Sequence, residues 1–153
     1  EPNSVAFKEM EHYLSKYENV KIYNEAAGLK NRKVKLYKHH STYTSKEDLT
    51  QSSSLLFEKS NVSKDIYENV KEIDFAEFIL KLNKRVELIK IDIEGYEISL
   101  INHLIDNDCL KNINKIYVEL HDDTINSIKI STKELKNRIN KNGLDHKFFF
   151  EWH

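Results

Sequence analysis

Apolar positions recur along this chain with helical spacing in some stretches and with strand spacing in others. From Ser4, the series Phe7, Met10, Leu14, Tyr17 follows i, i+3, i+7, i+10, the stripe of an amphipathic helix. Val20-Lys-Ile-Tyr-Asn24 alternates with period two and predicts a strand, and Val34 to Tyr37 predicts a second one beyond the Gly28-Leu-Lys-Asn turn. Residues 39–65 are polar, rich in Ser, Thr and Lys, and interrupted by Leu55-Leu56-Phe57. They are expected to form a long loop or insertion with at most one strand, of the sort that often serves as a lid or binding segment.

Ile66 to Ile73 predicts the next strand. Asp74 then reads as a helix N-cap, with Glu77 completing a capping box, Ile73 and Phe78 as a hydrophobic staple, and Phe75, Phe78, Ile79 and Leu82 on the buried face. Val86-Glu-Leu-Ile-Lys-Ile-Asp92-Ile is apolar and β-branched enough to predict a parallel strand covered on both faces. Gly95 breaks it, and Ile98, Ile101 and Ile105 mark a following helix. Ile116-Tyr-Val-Glu-Leu120 is the next strand. Ser131 and Glu134 read as a second capping box, with Leu135 and Ile139 facing inward and Gly143 at the C′ position, before a last strand at Phe148 to Phe150. This alternation predicts an α/β fold with a doubly wound, mostly parallel sheet, and one domain over 1–153.

Composition narrows the function. Lys+Arg total 24 against 25 Asp+Glu, so the net charge of -1 argues against a chain built to neutralise phosphates, and no nucleic-acid partner is expected. No apolar run approaches the ~20 residues of a membrane span, and the start Glu-Pro-Asn-Ser lacks a secretory pattern. With Cys109 as the single cysteine there is neither an internal disulfide nor a cysteine zinc site, and a cytoplasmic setting is expected. Gly28, Gly95 and Gly143 are too dispersed for a glycine-rich phosphate loop.

Ligands of doubly wound sheets bind beyond the carboxyl ends of the strands. Three such ends carry polar groups here: Asn24-Glu25, Asp92 with Glu94, and Glu119 with His121. Each alone is as readily a cap or a solvated turn residue. Two successive strands ending in acidic turns are expected to bring their carboxylates together. His121 is the one histidine in such a place; His12, His39, His40, His103, His146 and His153 share no spacing and read as surface or packing residues. Tyr37, Tyr43 and Ser52 to Ser54 read as ordinary loop and strand residues.

The stretch Leu88-Ile-Lys-Ile-Asp92-Ile-Glu-Gly95-Tyr-Glu resembles the "LKIDIEGxE" motif of FkbM-type methyltransferases. Glu1-Pro-Asn-Ser-Val-Ala-Phe7 is similar to that family's "EPNPxxF" segment, and Val20-Lys-Ile-Tyr-Asn-Glu-Ala-Ala-Gly28 to its "NVxxxNxAxG" strand and turn. Ser53-Ser-Leu55, Ile73-Asp-Phe75 and Val118-Glu-Leu-His121 are collinear with further elements, so the resemblance spans nearly the whole chain. It implies a Rossmann-like fold and S-adenosylmethionine (SAM) as cofactor, with methyl transfer to a hydroxyl of a sugar, glycan or secondary metabolite. By position in the motifs it implies Glu1 for the cofactor ribose, Glu25 and Ala26 beside the adenine, and Asp92 at the methyl-transfer centre. Asp92 and His121 are the expected proton-handling pair, with Glu94 and Glu119 as acceptor-binding groups. The family's first strand and glycine loop find no match, so the domain is expected to be incomplete at its N-terminus, and at its C-terminus too. Two other readings stay open. One is a divalent-metal-dependent hydrolase or transferase built on Asp92, Glu94, Glu119 and His121, a donor set suited to Mg²⁺ or Mn²⁺. The other is a non-catalytic remnant that binds a partner.

Overall fold

The computed structural model describes residues 1–41, 53–121 and 128–150; Tyr43, Ser52, Asp122, Asp123 and His153 lie outside them. The first element is helix α1 (Ser4–Leu14), which stops short of Tyr17. Asn3 caps it, its Oδ1 accepting from the Val5 and Ala6 N–H groups at 2.9 and 3.3 Å. Strands β1 (Ala26–Gly28), β2 (Arg32–His39) and β3 (Val62–Asp74) form one sheet in the order β1-β3-β2, with β1 parallel and β2 antiparallel to β3.

Two expectations change here. Val20 to Asn24 is not a strand, and the pairing residues begin at Ala26. The alternating side chains have other work: Tyr23 stands edge-on to Phe78 at 5.6 Å, and Asn24 donates its side-chain N–H groups to the Glu1 and Pro2 carbonyls. The polar stretch 39–65 is also shorter as a loop than its composition implies. His39 ends β2 and Val62 to Asp65 begin β3, because charged residues are tolerated on the exposed face of an antiparallel ribbon.

Glu72, a residue of β3 beside β1, is fully buried. Its Oε1 accepts from the Leu29 N–H at 2.8 Å and its other oxygen pairs with Arg32. Gly28 leaves room for this carboxylate: a Cβ there would lie 2.1 Å from Glu72 Oε1.

The second sheet contains β4 (Val86–Ile91), β5 (Ile113–Val118) and β6 (Phe148–Phe149), all parallel and in that order. Helix α3 (Glu97–Asp106) links β4 to β5, and α4 (Ile128–Lys141) lies between β5 and β6. The protein is thus mixed α/β with parallel strands joined through helices. Ile101, Leu104, Ile116 and Val118 are fully buried, and each contributes roughly 1.5–3 kcal/mol. Surface ion pairs contribute about 0–1 kcal/mol each, so this layer of sheet and helix dominates stability. The strand from Val86 is not covered on both faces as expected. Ile89 and Ile91 enter the core, while Leu88, on the alternate face, is 54% exposed.

Helix ends depart from the sequence pattern in instructive ways. In α2 (Phe75–Leu82) Asp74 accepts from the Glu77 N–H as predicted, but Glu77 does not close the box. Asn31 takes its place, accepting from the Asp74 N–H and donating to Glu77. Ser131 and Glu134 form no N-cap, since α4 already runs through them from Ile128; Thr132, Leu135 and Ile139 are its buried residues. Its C-terminus is as expected. Leu144 N–H reaches the Ile139 carbonyl and Gly143 N–H the Asn140 carbonyl, a Schellman end with Gly143 at φ 65°. Among the described residues no helix is long and apolar enough to cross a membrane.

Candidate active site

Beyond Ile91, strand β4 gives way to the turn Asp92-Ile-Glu-Gly95. Glu94 (φ 58°) and Gly95 (φ 104°) both have left-handed backbone. That costs glycine nothing and a glutamate about 1–2 kcal/mol, so something must hold Glu94 there. Two groups do. Glu97, at the first position of α3, accepts from the Ile93 and Gly95 N–H groups, both at 3.0 Å and both through Oε1. Ser54 donates its hydroxyl to the Glu94 carbonyl at 2.7 Å.

Glu97 is buried, and its Oε1 meets a third group, His121 Nδ1, at 3.0 Å. His121 follows β5, whose ladder extends one step further through the Glu119 N–H to the Ile91 carbonyl. The other ring nitrogen, Nε2, lies 3.5 Å from Glu94 Oε2 and 3.9 Å from Asp92 Oδ1. The hydrogen bond to Glu97 raises the His121 pKa above the ordinary imidazole value; desolvation opposes this, and the charges of Glu97, Glu94 and Asp92 reinforce it. Two ammonium groups answer the carboxylates: buried Lys59 pairs with Glu94, and Lys90 lies 3.0 Å from Asp92 Oδ2 and 4.0 Å from Glu119 Oε2. Four carboxylates against two lysines leave the cluster acidic, which favours a cationic ligand.

The expected convergence of strand ends is therefore present, with Asp92, Glu94, Glu119 and His121 together. Asp92, Glu119 and His121 each offer a ligand atom within 4.8 Å of the others. Lys90 already places a cation against both carboxylates, which a divalent ion would have to displace. This weighs against the divalent-metal reading.

A pocket of about 100 Å³ is lined in part by Asp92 and Glu94. Ala26, Ala27, Leu36, Leu55 and Ile93 supply small and apolar walls, and Glu1, Ser53, Asp92 and Glu94 supply polar ones. Glu1 is held by the residues after it: its Oε1 accepts from the Asn3 N–H at 2.7 Å, and Asn24 grips its carbonyl at 3.0 Å. Asn3 in turn donates to Ser53 Oγ at 3.2 Å. Glu-Pro-Asn is thus one mechanical unit that caps α1 and fixes a carboxylate at the pocket wall.

Of the residues singled out from the sequence, Glu1, Ala26, Asp92 and Glu94 line this pocket. His121 and Glu119 lie close to Asp92 but do not line the pocket, and Glu25 is paired with Lys71. Sequence reasoning missed three residues. Ser53 and Ser54 looked like loop serines, yet Ser54 is buried and joined to β2 through backbone bonds to Tyr37. Glu97 had a signal, two residues past the turn glycine, but an acid in the first turn of a helix is common for dipole reasons alone.

No curated protein and no solved structure matches the chain significantly. A model of the methyltransferase FkbM domain does match, over residues 1–145, a span that contains every pocket residue, the Asp92 to Gly95 turn and His121. The chain belongs to the FkbM methyltransferase domain family.

Proposed function

We propose that the pocket beside Asp92 receives SAM and that the protein methylates a hydroxyl group on a sugar, glycan or secondary metabolite. Methyl transfer is the general activity of the family. The observation that carries the finer reading is that Glu1, Ala26 and Asp92, far apart in sequence, line one pocket. The donor set suits the cofactor's nucleoside. Glu1 offers acceptors to a vicinal diol, and Ala26 and Ala27 leave room for a flat base between Leu36, Leu55 and Ile93. Ligand sites usually measure about 300–1,000 Å³, so a pocket of about 100 Å³ suits a part of the molecule rather than all of it. The acidic surplus around Asp92 complements a sulfonium cation.

SAM, when bound, supplies an electrophilic methyl group. What remains for the protein is to orient the acceptor hydroxyl and take its proton. His121 Nε2 is the proton acceptor in this reading. Asp92, which lines the pocket and lies 3.9 Å from that nitrogen, aligns the hydroxyl. The imidazolium that forms is compensated by Glu97, Glu94 and Asp92. The Rossmann-like, doubly wound arrangement belongs to the same proposal and is supported by the parallel β4-β5-β6 order with helices between the strands. So does a cytoplasmic setting, supported by a lone cysteine whose thiol is buried.

Calorimetry with SAM, and transfer of its labelled methyl to methyl glycosides of glucose, rhamnose and fucose, tests the reading. Glu1→Gln should weaken SAM binding about 10-fold or more, the scale of one hydrogen bond to a charged acceptor. Asp92→Asn should keep the fold and lower transfer about 10²-fold. Absence of SAM binding by the wild-type protein, or a wild-type rate in Asp92→Asn, defeats the proposal.

A further inference from the structure

We infer that Glu97 is a positioning residue, which sets the tautomer of His121 and ties its ring to the Asp92 to Gly95 turn; the assignment deepens the reading of His121 as proton acceptor and rests on it. A neutral imidazole carries its hydrogen on one nitrogen and a lone pair on the other, and the partner of each nitrogen decides which. Nδ1 lies 3.0 Å from a carboxylate that is only 1% exposed. A carboxylate accepts and does not donate, so Nδ1 carries the hydrogen and the lone pair resides on Nε2. That nitrogen faces Glu94 at 3.5 Å and Asp92 at 3.9 Å.

The same oxygen of Glu97 also holds the Ile93 and Gly95 N–H groups. Ring and turn therefore share one anchor, and the separation of Nε2 from Asp92 is set through it. Two backbone bonds would suffice for a carboxylate that only stabilised the turn. The third, aimed at a ring whose far nitrogen faces the pocket-lining Asp92, points to a role in orientation. Glu97 also places a fixed negative charge behind the ring, where it favours protonation at Nε2 without touching the acceptor. The logic is that of a buried acid behind a histidine base.

Long-range proton–nitrogen NMR spectra of the imidazoles test this on the intact chain, with His121→Gln assigning the signal. At a pH high enough to neutralise the ring, wild-type His121 should show hydrogen on Nδ1. In Glu97→Gln the amide oxygen can still accept from Ile93 and Gly95, so the fold and those two amide shifts should persist. Its NH₂ can now turn toward the ring, and the Nε2–H tautomer should appear. In the glycoside assay the rate constant kcat should fall at least tenfold, with SAM affinity within about twofold of wild type, because the lost interaction concerns proton removal rather than cofactor binding. Adding Glu97→Gln to His121→Gln should cost little more, since the two act as one unit. A wild-type neutral ring bearing hydrogen on Nε2 overturns the proposal with no variant needed. An unchanged tautomer and kcat in Glu97→Gln overturns it equally. Absence of methyl transfer from wild type, with Nδ1–H observed, overturns the methyltransferase reading and leaves Glu97 as the residue that sets the ring.

Discussion

Gly28→Ala is a small substitution with a large expected effect. The added methyl would lie 2.1 Å from Glu72 Oε1, 2.4 Å from its Cγ and 2.6 Å from its Cδ. Glu72 is fully buried and cannot swing into solvent. Overpacking of this kind costs typically about 1–3 kcal/mol. Moving Glu72 away would strip the Leu29 N–H of its acceptor and part Glu72 from Arg32, adding about 1–3 kcal/mol for a buried group left unmatched. A total of about 2–6 kcal/mol is expected, or roughly 5–25 °C in melting temperature for a chain this long. The assay is a double-mutant cycle by urea denaturation. In a Glu72→Ala background the obstacle is gone, and Gly28 does not have positive φ. There the same alanine should be neutral or stabilising by up to about 1 kcal/mol, because it restricts the unfolded chain. An equal penalty in both backgrounds refutes the steric argument. Because Ala26 and Ala27 of the same strand line the pocket, the single variant should also bind SAM more weakly, and the double variant less so.

Asn3→Ala removes the N-cap of α1 and the bond to Ser53 together. It should cost about 1–2 kcal/mol by denaturant titration and loosen Glu1, which a weaker SAM affinity would report; a stability loss well under half a kcal/mol would count against the Glu-Pro-Asn unit. Stability should also depend on pH through His121. Its folded pKa lies above its unfolded value near 6.5, so its contribution is fully present below about pH 6.5 and is lost as pH rises through the higher folded value. His39 works in the opposite sense, its pKa lowered by desolvation and by the charges of His40 and Lys59, so the comparison must be against His121→Gln. The stability gap between wild type and that variant should narrow from pH 6 towards alkaline pH; a gap that widens contradicts the raised pKa. On the acid side, Asp74 keeps a lowered pKa despite desolvation, through the Glu77 N–H and His103, so its contribution is lost as pH falls below about 4.

How much of this was legible beforehand varies with the physics involved. Helices with a one-sided apolar stripe were readable, because burial of that stripe is what makes them form: α2, α3 and α4 lie where Ile79, Ile101 and Ile139 place them. The C-terminus of α4 was readable because a glycine at C′ answers a backbone requirement within a few residues. Strands were less so. Alternation at Val20 to Asn24 matched a strand, but a strand exists only where a partner supplies the ladder, and the partner of this region, β3, begins pairing at Ala26. The Ser131 and Glu134 box failed because a helix start depends on the preceding chain as well as on the cap.

The same division runs through the site. Local sequence determined that a strand ends in Asp92-Ile-Glu-Gly, that another ends near His121, and, through the motifs, which family the chain belongs to. Tertiary structure alone decided that Glu1 is brought to Asp92, that Lys90 answers Asp92 and Glu119, that Ser54 braces the turn, and that Glu97 serves both the turn and the imidazole. The reason is range. Caps, turns and amphipathic stripes are satisfied by neighbours a few residues away, so the chain records them in order. A carboxylate's partners, such as Ser54 for a carbonyl 40 residues on, are chosen by which strands lie side by side.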